Sequence, residues 1–272
     1  MSGTINNIEN NKKEQKNEIL GFLKVEVLKK GSHALNLMLR TEDVIVGING
    51  RLFRGTQKTL NQELKLNEDN KVITIFRKNT FLNIKAYGPL GIKLLEVGSE
   101  EAEDLISKTE KYLKKIENFN DYKEFEVYKG AKNFYDILEV NDSSLLASLL
   151  PFIWFYHHRL FSPLLLLIAT FLLLGSIAWW LLLSAWVIIT LYMSKSSMSL
   201  LRSYCLFQEM KPYLKIFSKS SKEVQEVVRS IDKKSNYRYP FIEPAVLETE
   251  VSDSKEGSKL GTKKEVVKPE PA

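Results

Sequence analysis

A chain of 272 residues with 39 Lys and Arg against 33 Asp and Glu, net +6, has room for one soluble domain beside other segments and lacks the basic excess of a nucleic-acid footprint. Its one cysteine, Cys205, excludes an intramolecular disulfide and any cysteine-built zinc or iron–sulfur site. The charge is uneven: residues 1–143 hold 23 basic and 22 acidic side chains, whereas residues 194–234 hold nine and four, an excess suited to anionic lipid headgroups beside a membrane segment.

Residues 1–18 (MSGTINNIENNKKEQKNE) are polar and Asn-rich, which predicts a disordered lead without a signal-peptide pattern and keeps the following domain in the cytoplasm. From Ile19 short apolar runs alternate with turns. Residues 22–28 (FLKVEVL) alternate in hydrophobicity and predict a half-buried strand. Residues 44–48 (VIVGI) predict a second, ended by the tight-turn pair Asn49-Gly50. Thr56 can cap a helix over residues 57–66, with Leu60 and Leu64 on one face. Strands over residues 72–77 and 81–86 follow, separated by Lys78-Asn79-Thr80. The sum is an α+β fold: a small, partly open β-barrel domain over residues 19–98, followed further along by an α-helical membrane hairpin.

Residues 31–45, GSHALNLMLRTEDVI, resemble the G-S-P-A-x-x-A-G-L-x-x-G-D-V-I stretch of bacterial PDZ domains, matching at Gly31, Ser32, Ala34, Leu39, Asp43, Val44 and Ile45. The similarity runs on through Ile48-Asn49-Gly50, Phe53, the Leu60/Leu64 helix and the strand ending in Arg77, and covers residues 19–86. Departures are His33 for proline and Met38, Glu42 and Asn79 for glycines. A Cβ where a turn needs positive φ costs about 1 kcal/mol, so the turns at Met38 and Glu42 are expected to be strained or rebuilt. The resemblance implies binding of an extended peptide, often a free C-terminus, as an added strand whose carboxylate is held by backbone N–H groups of a loop. Ile19-Leu20-Gly21-Phe22 resembles that Φ-G-Φ loop, with an ordinary tight turn as the alternative. The implied peptide-binding residues are then Ile19, Leu20, Gly21, Phe22, Leu23, Lys24 and Val25 with Leu60 and Leu64. Residues 87–92 contain a second such tetrapeptide, read as a turn into a strand over residues 92–97.

Residues 99–143 read as a helix and connector. Ser99 is the expected N-cap of a helix of about eighteen residues, acidic at its start and basic at its end, as the helix dipole favours. A strand over residues 122–128 and a connector over 129–143 follow. Residues 145–156 predict an interfacial helix, interrupted at Pro151. Pro151, Trp154, His158, Arg159, Leu160 and Phe161 are similar to a Pro/Trp/His-Arg-Leu-Trp box ahead of a hairpin in a bacterial membrane family of unknown function; the proline comes one residue early, and the similarity implies no activity.

The membrane block spans residues 144–194. Its residues 160–193 carry no charged side chain; as one helix they would extend about 51 Å against a hydrocarbon core of roughly 30 Å. A fold-back at Gly175-Ser176 gives two arms, each about 23 Å long, which either span a thinned bilayer or re-enter. Basic residues on both flanks, His157, His158 and Arg159 before and Lys195, Arg202 and Lys211 after, predict both termini on the cytoplasmic face of a bacterial inner membrane. Within residues 195–234 two amphipathic helices are expected, one limited by Pro212 and one opened by a Ser220/Glu223 capping box; residues 235–272 read as a disordered tail.

Chemistry is sparse. His33, His157 and His158 are the only histidines, and neither a metal-ligand spacing, a nucleophile triad nor a phosphate loop accompanies them. The expectation is a non-catalytic, cofactor-free module that binds a peptide or protein partner, with anionic lipid near residues 195–234 and no nucleic acid. One alternative is a membrane scaffold with a degenerate PDZ-like domain, favoured if residues 90–97 or the tail fill the edge beside residues 23–28. Another is a regulatory subunit of a membrane protease.

Overall fold

In the computed structural model, which describes residues 21–65, 71–97, 99–116, 118–140 and 145–245, the alternating runs become two open sheets. The chain divides into two units: Met1–Glu124 with Leu214–Ser235 and Pro240–Ala272, and Phe125–Tyr213 with Asn236–Tyr239.

The first unit opens with β1 (Leu23–Leu28), a short α1 (His33–Asn36), β2 (Val44–Ile48) and β3 (Arg51–Leu52). Then come α2 (Gln57–Lys65), β4 (Lys71–Arg77), β5 (Thr80–Ala86), β6 (Ile92–Glu96) and α3 (Ser99–Leu113). The sheet order is β5-β4-β2-β1-β6, with β3 attached to β2. Among the described residues it is an open sheet and not a closed barrel, because β5 and β6 end the path without pairing each other. Leu23, Val25, Ile45, Ile73, Ile75, Leu82 and Ile84 are buried to within about a hundredth of their surface, so one face of the alternation carries the core. Asn49 (φ 50°) and Gly50 (φ 75°) form the two-residue link into β3, and Lys78 (φ 46°) with Asn79 (φ 64°) repeat it between β4 and β5. Asn79 therefore does a glycine's conformational work.

Met38 (φ 57°) and Glu42 (φ 76°) are both left-handed, so the two turns keep their strained geometry. What fixes them is a buried ion pair. Arg77 Nε donates to Asp43 Oδ1 at 2.7 Å and its Nη2 to Asp43 Oδ2 at 2.6 Å. The same Nη2 donates to the Met38 carbonyl at 3.0 Å, and the Arg40 N–H donates to Asp43 Oδ2 at 2.7 Å. Both partners are almost wholly buried. The fork thus ties β4 to the strained turn and satisfies a carbonyl within it.

On α3, Ala102 and Leu105 cluster with Phe22 and Val46. Tyr112 stacks on Phe81 with centroids 4.6 Å apart and its hydroxyl accepts from Asn83 Nδ2 at 2.9 Å; burial pushes the phenol up to about 12. A later helix, α8 (Ser221–Ile231), packs against β5. Half of the expected capping box forms: the Glu223 N–H donates to Ser220 Oγ, while the Glu223 carboxylate accepts from Ser218 Oγ at 2.7 Å and the Lys219 N–H at 3.1 Å in place of the Ser220 N–H.

The second unit holds β8 (Phe134–Glu139), β10 (Asn236–Tyr237), most of β7 (Lys123–Lys129) and the start of β9 (Lys211–Ser218), in a sheet of order β10-β8-β7-β9. Strand β8 lies in the stretch read as a connector. Strand β10 pairs in parallel with Phe134 and Tyr135 of β8, so residues 236 and 237 belong to the fold and not to the expected tail. Its helices are α4 (Leu145–Leu149), α5 (Pro151–His157), α6 (Phe161–Ile177) and α7 (Trp179–Phe207). The apolar block breaks at Ala178 (φ −161°, ψ 135°), two residues past Ser176, and α7 continues through Lys195 and Arg202 as one helix. Leu160 and Met193, at the two ends of the block, share a buried cluster with Trp154, Phe155, Leu201 and Cys205. Arg202 grips the buried Glu126 through Nε and Nη2 at 2.8 and 2.9 Å. Beyond that base Leu166, Leu172, Leu173, Trp179 and Ile188 are exposed by 64–74%. Among the described residues, one helix, α7, is long and apolar enough to cross a membrane.

Asp43→Ala leaves a buried guanidinium uncompensated and is expected to lower stability by about 3–5 kcal/mol, whereas Asp43→Leu combined with Arg77→Met recovers most of the loss. Urea denaturation of the detergent-solubilised chain measures both, and equal losses for the single and double variants would contradict this role of the pair.

Candidate functional site

The residues expected to bind a peptide divide sharply. Ile19 and Leu20 lie outside the described residues. Gly21 accepts a hydrogen bond from the Gly55 N–H at 3.2 Å. Phe22 is fully buried, a core side chain and not part of an open loop. Leu23, Lys24 and Val25 pair with Glu96, Leu95 and Leu94 of β6, while Leu23 and Lys24 pair with Ile45 and Val44 of β2 on the other side. The ladder position expected to receive a peptide beside these three residues is therefore occupied by the chain itself. Leu60 and Leu64 are buried on α2.

Among the described residues the open ladder lies one strand further out. The Val97 N–H donates to the Phe22 carbonyl at 2.9 Å, and the single irregularity of the β1–β6 ladder puts its extra residue, Glu26, on β1. Counting back along β6 in an antiparallel ladder, residues 97, 95 and 93 turn their N–H and C=O groups toward β1, and Ile92, Leu94 and Glu96 turn theirs away. A second observation agrees: the Ile92 carbonyl accepts from Gln57 Nε2 of α2 at 2.7 Å. That bond brings the first turn of α2 to the outer side of β6. Asn61 and Leu64, four and seven residues on from Gln57, share its helix face.

Immediately before β6 stands the second Φ-G-Φ tetrapeptide. Leu90 and Ile92 are buried, and between them Gly91 takes φ 68°. The Leu90 carbonyl accepts from the Ala34 N–H at 3.0 Å, which anchors the loop to α1. A Cβ on Gly91 would stand 3.4 Å from Ser32 Cβ. Two polar atoms on α1's first turn, Ser32 Oγ and His33 Nδ1, are buried without a hydrogen-bond partner among the described residues. Burial lowers the His33 pKa, the nearby Lys215 lowers it further, and the Pro89 backbone works against both. Both lowering causes favour the neutral imidazole. The ensemble is a sheet edge with outward donors and acceptors, buried apolar side chains on either side of Gly91, and a polar helix face alongside.

The other histidines do different work. His157 and His158 end α5 with rings 5.4 Å apart and nearly perpendicular, and with Trp154 they line a cavity of about 250 Å³ in the second unit. Burial lowers the His158 pKa. Among the described residues no group of three or more His, Cys, Asp or Glu side chains could hold a metal ion.

No family model matches the chain, and no curated protein does.

At φ 68° a side chain is strained whatever the space around it, so Gly91→Ala should destabilise the first unit by about 1 kcal/mol. A shift of the urea midpoint to lower concentration is the expected reading; an unchanged midpoint would mean that the loop does not need its left-handed residue.

Proposed function

We propose that this chain is a non-catalytic, membrane-anchored recruitment module whose first unit is a PDZ-like domain binding an extended peptide between β6 and α2. The observation that carries the reading is the outward ladder of Ile92 and Leu94, entered directly from Leu90-Gly91-Ile92. An added strand gains its affinity from such main-chain groups and its specificity from the pockets beside them. A loop with a left-handed glycine lets successive N–H groups converge on a carboxylate. The ordered matches from Gly31 to Arg77 support the same domain, with the Φ-G-Φ loop placed before its last strand instead of its first.

The second unit supplies the anchor. Leu160 and Met193 meeting in one buried cluster returns the block to its starting side, and the exposed apolar arms of α6 and α7 suit a hydrocarbon environment. Reporter fusions after residues 143 and 240 should both report cytoplasm; opposite answers would make α7 a single span.

A scaffold without a groove is the second reading: the self-filled edge of β1 meets the condition set for it above, and the peptide reading stands on the outer row of β6 alone. Proline substitution separates the two. Leu94→Pro removes an outward N–H and spares the β1 ladder, so the full chain in detergent micelles should keep its fold yet lose binding to free-carboxylate peptides selected from a display library. Amidating those peptides should weaken them several-fold, because the charge-assisted bonds are lost. Undiminished binding by Leu94→Pro would remove β6 as the docking edge, and the absence of any binder at millimolar peptide would leave the scaffold.

A further inference from the structure

We infer that Gln57 is a built-in competitor for the peptide: in the free protein its side-chain amide occupies the Ile92 carbonyl that the backbone N–H of an added strand would use. The inference rests on the groove proposed above and adds its regulation. The Gln57 donor sits 2.7 Å from the acceptor across 35 residues of sequence, a full-strength hydrogen bond. It reaches the carbonyl on the side away from β1, where the ladder of an added strand would run. A glutamine suits this role on chemical grounds, since its carboxamide carries the same donor and acceptor as a peptide group on a stem of three rotatable bonds. An edge strand left bare invites pairing with other chains, and a side-chain amide held over its first acceptor blunts that edge without blocking it. Gln57 is only half-buried, so it can swing out toward solvent. Peptide binding then exchanges one neutral hydrogen bond for another at Ile92, and the affinity of the groove is held below what an unoccupied edge would give.

Removing the competitor should therefore tighten binding. The net value of one neutral hydrogen bond corresponds to a gain of about two- to tenfold. The test uses the full chain in detergent micelles, labelled with 15N-glutamine, with the Gln57 side-chain amide assigned by its loss in Gln57→Ala. The probe is the tightest free-carboxylate decapeptide from the display library. On adding it, the Gln57 amide resonance should move to a solvent-exposed position, and both Gln57→Ala and Gln57→Met, which keeps the stem without the donor, should bind more tightly than the natural chain. Equal or weaker binding by the two variants, or a Gln57 resonance that stays in place while the peptide binds, would overturn the inference and leave the groove standing. If no peptide binds the natural chain or either variant, the groove itself falls and the competitor with it.

Discussion

Strand β6 lies antiparallel on β1, and its register decides which part of the first unit can meet another chain. An unpaired strand edge is a row of unsatisfied donors and acceptors that has to be covered, paired or used. In this protein β1 is paired on both sides, by β2 and β6, so the row that no described strand pairs moves outward to Ile92 and Leu94. The loop that feeds β6 and the helix that bonds to it are then the elements that any added strand would meet. Moving the edge by one strand changes the candidate residues completely while leaving the chemistry of recognition the same.

That edge depends in turn on a buried charge pair. Asp43 and Arg77 lock the end of β4 to the Met38–Glu42 turn, and this turn delivers β2 to the sheet beside β1. Two residues with side chains sit in left-handed conformations there, at a cost of about 1 kcal/mol each. Arg77 contributes twice, neutralising Asp43 and accepting responsibility for the Met38 carbonyl. The tolerance of non-glycine residues at these turns follows from that second hydrogen bond as much as from the first.

Much of the first unit was legible in the sequence because period-two alternation and left-handed turn residues are local signals; β1, β2, β4, β5 and α2 all follow from them. The strand over residues 92–96 was legible as well, but its partner was not, since pairing across some seventy residues leaves no trace in periodicity. Strand β8 was hidden by Asp136, whose charge is buried against Arg238 at 3.1 Å, a partner a hundred residues away. Pro212 stops a helix in local reading, yet it stands second in β9, at the end of the sheet order, where a missing N–H is tolerated. Gly175 marked the fold-back only approximately; its missing Cβ leaves room for Leu182 Cδ1, which would stand 3.2 Å away, so it serves close helix contact while Ala178 makes the turn. The Φ-G-Φ signal occurs twice, and taking the first copy as the loop and the second as a turn rested on their places in the chain alone.

Amide hydrogen exchange of the full chain without peptide asks whether β6 stays in the sheet while its outer row is paired by no other strand. An alternation along one strand is expected: the amides of Lys93, Leu95 and Val97 slow, those of Ile92 and Leu94 fast. Uniformly fast exchange from residue 92 to residue 97 would mean that β6 leaves β1 readily and that the β1 edge is the one on offer. Uniformly slow exchange would mean that the outer row is already covered, and either result would contradict the account.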